Sequence, residues 1–142
     1  MKVRAAHEDD LPRLLEIYNH YVEHTHITFD LSPVDLETRR GWFESFDETG
    51  PHRLFVAAAG SDVVGYASSG IFRSKPAYER SVETSIYLAH DFHGAGTGTM
   101  LYEHLLGVLA SESSVHRAYG GVAIPNEAVS YTHLRAHETP IN

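Results

Sequence analysis

The sequence predicts an α/β (or α+β) fold in which helices flank a mixed central sheet. First, strand-like and helix-like segments follow one another in the order β, α, α, β, β, β, α, β. Second, apolar residues make up 42 % of the 142 residues, which suffices for a single domain with its own core. Third, a glycine-rich turn at residues 93–98 joins a predicted strand to a predicted helix.

Local patterns assign the individual elements. Strand-like patterns occur at residues 3–6, 54–59, 63–69, 82–88 and 117–124. Apolar residues at helical spacing predict helices at residues 11–22, 33–46 and 96–111. The second helix is expected to have Ser32 as its N-cap and Pro33 as its first residue, with Asp35 replacing the glutamate of a capping box. Residues 25–29 are expected to be extended, and residues 71–80 to form a loop.

Charge and composition narrow the classes of ligand. A net charge of −8 argues against general nucleic-acid binding, and the absence of cysteine excludes disulfides and cysteine-ligated metals. The sequence shows neither an apolar run long enough to cross a bilayer nor a signal-peptide pattern. We therefore expect a cytoplasmic protein that binds neither nucleic acid nor membrane. The local cation cluster of Arg73, Lys75 and Arg80 leaves an anionic ligand open.

The glycine-rich turn has the chemistry of a phosphate site. Gly94, Gly96 and Gly98 alternate where a helix begins, and the first N–H groups of a helix lack internal partners and carry the positive end of its dipole. A P-loop would need a lysine here, and a dinucleotide-binding fold would need an acidic residue at the end of the next strand; the sequence has neither. An acyl-CoA loop and a plain glycine turn remain as interpretations.

The turn His93-Gly94-Ala95-Gly96-Thr97-Gly98 resembles the acyl-CoA loop of the GNAT N-acetyltransferases, whose pattern is Arg/Gln-x-x-Gly-x-Gly/Ala, although His93 departs from it. Over residues 3–128 the chain resembles the phosphinothricin N-acetyltransferase branch, which includes methionine sulfone and sulfoximine acetyltransferases. The segments that carry this resemblance are Asn19-His20-Tyr21, Thr28-Phe29, Val64-Gly65-Tyr66-Ala67, Lys75-Pro76-Ala77-Tyr78, Val82-Glu83-Thr84-Ser85-Ile86-Tyr87-Leu88 and Leu101-Tyr102-Glu103-His104-Leu105-Leu106.

The resemblance implies a GNAT-like fold, acetyl-CoA as cosubstrate and direct acetyl transfer. Transfer needs a base because an ammonium has no lone pair, and the resemblance gives this role to Glu83, which could alternatively be an exposed partner of Arg80. Backbone N–H groups near Leu88 would stabilise the oxyanion. Asn126 contacts the cofactor or simply ends its strand. The implied cofactor-binding residues are Ile86, Tyr87, Leu88, His93, Gly94, Ala95, Gly96, Thr97, Gly98 and Asn126.

The acceptor pocket is expected to combine cations for carboxylate, phosphinate or sulfone oxygens with aromatic walls. Its residues are Phe29, Phe72, Arg73, Lys75, Tyr78 and Arg80; a solvated basic loop and core aromatics are the alternatives. The predicted reaction is acetylation of the amino group of a small amino-acid-like substrate. The alternatives are another amine (a protein N-terminus, a polyamine or an aminoglycoside) and an inactive CoA-binding fragment. Because related enzymes are often dimers, a homodimer is implied.

Two further features complete the expectations. From residue 129 the sequence resembles the translation of a transposase adapter used in sequencing libraries. We therefore expect a GNAT domain at residues 1–128, truncated at its C-terminus, and a non-native tail at residues 129–142. His20 and His24 have the i, i+4 spacing of a zinc pair, but no third ligand is evident and we expect no metal.

Overall fold

A computed structural model describes residues 1–24, 32–71, 81–92, 96–111, 117–123 and 137–140. One sheet contains six strands in sequence order. The strands are β1 (Lys2–Ala5), β2 (Leu54–Ala59), β3 (Asp62–Ile71), β4 (Ser81–Leu88), β5 (Arg117–Ala123) and β6 (His137–Pro140). The helices are α1 (Leu11–His24), which follows a short 3-10 turn at Glu8–Asp10, α2 (Leu36–Glu44) and α3 (Thr97–Ala110). The predicted fold class is confirmed.

The sheet is mixed because one connection differs from the others. Neighbouring strands pair antiparallel except β4 and β5, which run parallel. The chain between these two strands contains α3, as expected for a crossover between parallel strands. This arrangement brings the carboxyl end of β4 next to the beginning of a helix.

Alternating side chains of β4 build two cores, one on each face of the sheet. Val82, Ile86 and Leu88 contribute to the core beneath α3, whose inner face is Leu101, Leu105 and Leu109. The opposite face carries Tyr66 and Tyr87, which pack with residues of α1 such as Leu14, Ile17 and Tyr21. Since successive strand residues point to opposite faces, each residue of β4 belongs to one side or the other.

The start of α2 corrects one expectation. Asp35, not Ser32, is the N-cap: its Oδ1 accepts the Thr38 N–H at 2.7 Å, and the helix begins at Leu36. The backbone of Val34 cannot join the helix because its N–H and C=O are both bonded to the Asn19 side chain, at 2.8 and 2.9 Å. Aspartate is among the best N-cap residues, so the helix begins at the next available cap.

The junction between β4 and α3 is closely packed. A Cβ added to Gly65 on β3 would lie 2.5 Å from Leu88 Cδ2, 3.0 Å from the Tyr87 carbonyl oxygen and 3.3 Å from Leu101 Cδ1. Leu88 Cδ1 lies 3.7 Å from the Cβ position of Gly98 in the first turn of α3. The Leu88 side chain therefore fills the space between two glycines, one on the sheet and one on the helix.

Strand β6 was not predicted from the sequence. Residues 137–140 pair antiparallel with residues 117–120 of β5. The division between a domain at 1–128 and a non-native tail at 129–142 stays a prediction, which the coding sequence of the parent locus beyond codon 128 tests.

Three histidine rings stack where α1 meets the turn after β4. The His20 ring centroid lies 3.9 Å from that of His90 and 4.5 Å from that of His24. Burial, and then the neighbouring His90 and His24, lower the pKa of His20 against the opposite effect of Glu23 and Asp91. The neutral imidazole is therefore the form that the folded protein favours.

Acidification is expected to destabilise the fold through His20. Because the folded pKa lies below the unfolded value of about 6.5, the unfolded chain binds more protons as the pH falls through that value. Stability is thus highest above the unfolded pKa and declines below it. A His20→Phe variant keeps an aromatic ring without a titrating group, so its urea midpoint should fall less between pH 7.5 and 5.5. Equal declines in the two proteins would contradict this role.

Candidate functional site

The amino end of α3 has the local structure of an anion site. Gly96 is the N-cap with φ of 81°, a left-handed conformation that favours glycine, and its carbonyl accepts the Met100 N–H at 2.9 Å. Among the described residues no side chain caps this end, and the first turn contains no acidic residue. Because the first helical N–H groups lack intrahelical partners, the end attracts negative charge.

The backbone at the end of β4 has a defined orientation. The Ala89 N–H donates to the Val64 carbonyl at 2.8 Å, so this pair is a hydrogen-bonded one in the antiparallel ladder. The preceding pair, Gly65 with Leu88, is therefore a non-hydrogen-bonded pair, in which backbone groups point away from the partner strand. The Leu88 N–H and C=O thus point away from β3, on the side where β5 pairs with residues 81–87.

A side chain of α1 reaches this strand end. The Tyr21 hydroxyl, which is buried, donates to the Leu88 carbonyl at 2.5 Å. On the opposite side of the sheet, the Leu88 side chain contacts the first turn of α3 at Gly98. One residue therefore connects the oriented backbone of β4 with the anion-attracting start of α3.

Glu83 lies near the other end of β4. Val82 and Thr84 are buried, whereas Glu83 between them is exposed. Leu88 lies five positions after Glu83 on the strand, a separation of roughly 17 Å at 3.3–3.4 Å per residue. Glu83 pairs with Gly70 of β3, next to Ile71 at the end of β3 and two residues after Ser81 at the beginning of β4.

Aromatic rings form a wall on the same face of β4 as Glu83. The Tyr87 ring stacks on Tyr66 at 5.4 Å and meets Tyr18 and Tyr21 edge-on at 5.4 and 5.6 Å. Each pair lies in the range of favourable ring contacts, and together they hold α1 against the sheet.

A buried arginine extends this wall to α2. The Arg39 guanidinium donates from Nη2 to the Tyr66 hydroxyl at 2.9 Å and lies 3.5 Å from the Trp42 ring centroid and 4.1 Å from that of Tyr18. These cation–π contacts offset part of the cost of burying the charge. Burial raises the pKa of Tyr66 and keeps its hydroxyl neutral.

The structure brings together only part of the predicted site. Leu88 of β4 and Gly98 of α3 lie together at one junction. Ile86 and Tyr87 precede Leu88 on the strand, Gly96 and Thr97 begin the helix, and Glu83 lies at a distance on β4. The remaining predicted cofactor residues, His93, Gly94, Ala95 and Asn126, lie outside the described residues. The predicted acceptor residues, Phe29, Phe72, Arg73, Lys75, Tyr78 and Arg80, also lie outside them.

The sequence alone assigned no individual role to two residues whose side chains bind distant backbone groups. Asn19 binds the backbone before α2, and Tyr21 binds the end of β4. The segment Asn19-His20-Tyr21 was noted only for its resemblance, and its partners are 15 and 67 residues away along the chain. The segment was thus recognisable in the sequence, but no local pattern identified the partners of its side chains.

The described ranges contain no cluster of three histidine, cysteine, aspartate or glutamate side chains suited to a metal ion. The rings of His20 and His24 stack at 23° to each other. Within the same ranges, no helix combines the length and apolarity that a membrane span needs.

Comparison with known proteins identifies the family. The model of the acetyltransferase (GNAT) domain matches residues 3–137. A phosphinothricin N-acetyltransferase of Streptomyces coelicolor is 48 % identical, over 95 % of this chain and 80 % of its own length. An L-methionine sulfoximine/L-methionine sulfone acetyltransferase of Pseudomonas aeruginosa is 36 % identical, over 73 % of this chain and 60 % of its own length.

Solved structures agree with this assignment. Ribosomal-protein-alanine N-acetyltransferase from Brucella melitensis superimposes with a TM-score of 0.80 at 36 % identity, covering 93 % of this chain and 80 % of its own. A GNAT superfamily phosphinothricin acetyltransferase from Sinorhizobium meliloti, in complex with acetyl-CoA, gives 0.76 at 27 % identity, covering 86 % of this chain and 65 % of its own. With the family model matching almost the whole chain, this protein belongs to the GNAT acetyltransferase family.

Proposed function

We propose that the protein transfers the acetyl group of acetyl-CoA to the amino group of a small amino-acid-like acceptor, of the phosphinothricin or methionine sulfone and sulfoximine type. The observation that carries this proposal is the junction at Leu88, where oriented strand backbone meets the amino end of α3. The pantetheine arm needs strand backbone with which to pair, and the pyrophosphate needs the amino end of a helix. The acceptor class rests on the two curated relatives described above.

The cofactor would lie across this junction. The pyrophosphate would take the first turn of α3, at Gly96, Thr97 and Gly98, together with residues 93–95. Pantetheine would run along residues 86–88 and pair with the strand backbone as an added strand does. Asn126 would contact the cofactor beyond β5. The complex of the Sinorhizobium meliloti relative with acetyl-CoA supports this choice of cosubstrate.

The reaction follows from these positions. The acceptor nitrogen attacks the thioester carbonyl, the C–S bond breaks, and the amine proton passes to a base while the CoA sulfur leaves and is protonated to the thiol. Backbone N–H groups near Leu88 would donate to the oxyanion. Glu83 would be the base; because it lies roughly 17 Å along the strand from Leu88, we expect a chain of several waters, rather than one, to relay the proton.

The acceptor would bind at the Glu83 end of β4, next to the connection that contains Phe72, Arg73, Lys75, Tyr78 and Arg80. Phe29 would approach from the segment between α1 and α2. These assignments remain predictions, as do a homodimeric state and a cytoplasmic location. A protein N-terminus is the second candidate acceptor, and the similarity to the ribosomal-protein-alanine N-acetyltransferase from Brucella melitensis favours it.

Acetyl-CoA and an acceptor panel test the proposal. Thiol release is expected with phosphinothricin or methionine sulfone and not with a polyamine or an aminoglycoside, because the proposed pocket recognises a carboxylate beside a second oxygen-bearing group. A peptide with an amino-terminal alanine tests the second candidate. Absence of release with both amino-acid acceptors would refute the proposed acceptor class.

A Gly96→Ala variant tests the anion site. Alanine at a φ of 81° costs about 1–2 kcal/mol and should displace the start of α3. Gly60→Ala is the matched control, because Gly60 has a φ of 65° in the turn between β2 and β3, with no atom of the described chain within 4 Å of its Cβ position.

Both variants should lose similar stability in urea unfolding. Only Gly96→Ala should weaken acetyl-CoA binding, by about tenfold in the Kd measured by calorimetry, which corresponds to ~1.4 kcal/mol. Equal affinity in the two variants would count against a pyrophosphate at this helix end.

Replacement of the proposed base tests the chemistry. Glu83→Gln should lower kcat by about 10²- to 10⁴-fold, because the amide cannot accept the amine proton, with acetyl-CoA affinity retained. Glu103→Gln, which changes an exposed carboxylate on α3, should keep the parent activity. Full activity of Glu83→Gln at pH 7 would remove Glu83 from the mechanism.

A further inference from the structure

The peptide that joins Leu88 to Ala89 is hydrogen-bonded on both of its sides. Its N–H donates to the Val64 carbonyl at 2.8 Å, and its carbonyl accepts from the Tyr21 hydroxyl at 2.5 Å. The first bond belongs to the sheet, whereas the second comes from a helix 67 residues earlier in the chain. The peptide plane at the end of β4 is therefore fixed by the Tyr21 side chain as well as by the hydrogen bond to β3.

Tyr21 is itself held in place. Only 1 % of the residue is exposed, and its ring meets the Tyr87 ring at 5.6 Å and the His20 ring at 5.2 Å, both edge-on. A buried hydroxyl in such a position has little freedom to turn elsewhere, and a buried carbonyl without a donor is costly. The bond therefore constrains the Leu88 peptide more than a solvent-exposed contact would.

The neighbouring residues of α1 make equivalent connections. Asn19 binds both backbone groups of Val34, at the entrance to α2, and His20 stacks on His90 after β4. One turn of α1 thus fixes the chain on the proposed acceptor side and on the proposed cofactor side. Tyr21 is the member of this group that contacts the strand residue at which acetyl transfer is proposed.

We propose that Tyr21 is a positioning residue for acetyl transfer. Its hydroxyl donates to the Leu88 carbonyl, which would otherwise present a lone pair where negative charge develops. The same bond fixes the end of β4, from which the Leu88 N–H points away from β3. Groups at the reacting centre stabilise developing charge only when they are correctly placed. The Tyr21 bond therefore acts on the transition state rather than on cofactor binding at α3. This inference rests on the proposed function.

A Tyr21→Phe variant tests the role, since it removes the hydroxyl and keeps the ring. Its kcat should fall by about ten- to a hundredfold, the range expected for a misplaced reacting group, while KM and Kd for acetyl-CoA stay within about twofold. The Leu88 carbonyl ¹³C resonance should shift, because it has lost its donor.

Tyr66→Phe is the matched control. It also deletes a buried hydroxyl from a ring that contacts Tyr87, but that hydroxyl binds Arg39 rather than β4. Its melting temperature should fall at least as far as that of Tyr21→Phe, with kcat within about twofold of the parent. A purely structural role for Tyr21 would instead make loss of activity follow loss of stability in both variants.

The outcomes separate this inference from the proposed function. An active parent with a Tyr21→Phe variant of equal kcat, or of kcat reduced no more than in Tyr66→Phe, overturns the positioning role alone. A parent that acetylates none of the acceptors overturns the proposed function and the positioning role together.

Discussion

The candidate site depends on how Leu88 is held at the junction of β4 and α3. Its side chain fits between Gly65 of the sheet and Gly98 of the helix, and its carbonyl accepts from Tyr21. Any larger residue at position 65 would meet backbone and core together, so the helix could not lie as close to the strand. Packing on one face consequently sets the distance between the strand backbone and the end of α3. On the other face, the hydrogen bond from α1 orients the Leu88 carbonyl.

The two faces of the sheet contribute differently to the site. The α3 face is aliphatic and places the helix end, whose dipole and N–H groups supply the attraction for an anion without a lysine or arginine in the first turn. The α1 face is aromatic and hydrogen-bonded, with Arg39 buried against Trp42 and Tyr18. Aromatic rings and polar contacts on this side orient the backbone. The net charge of −8 is compatible with an anionic ligand because the attraction at the end of α3 is local.

Membership of the GNAT family and the local geometry of this chain both support the proposed cofactor position at the junction of β4 and α3. The elements β4 and α3 follow one another closely in the chain, so local patterns predicted both. The predicted acceptor residues belong to segments 25–31 and 72–80, outside the described residues, and the sequence assigned them by chemistry alone. The prediction that Ser32 caps α2 was wrong because of a contact between distant segments: Asn19 of α1 binds the backbone of Val34.

The sequence by itself determined the strands β1 to β5, the helices α1 to α3, their order and the alternation that leaves Glu83 exposed between buried Val82 and Thr84, because each depends on residues close together in the chain. Only the tertiary structure decided that Asp35 begins α2, that residues 137–140 pair with β5, and that Tyr21 holds Leu88 across 67 residues. Those contacts join segments far apart in the chain, and no local periodicity specifies the partner of a hydroxyl or a side-chain amide.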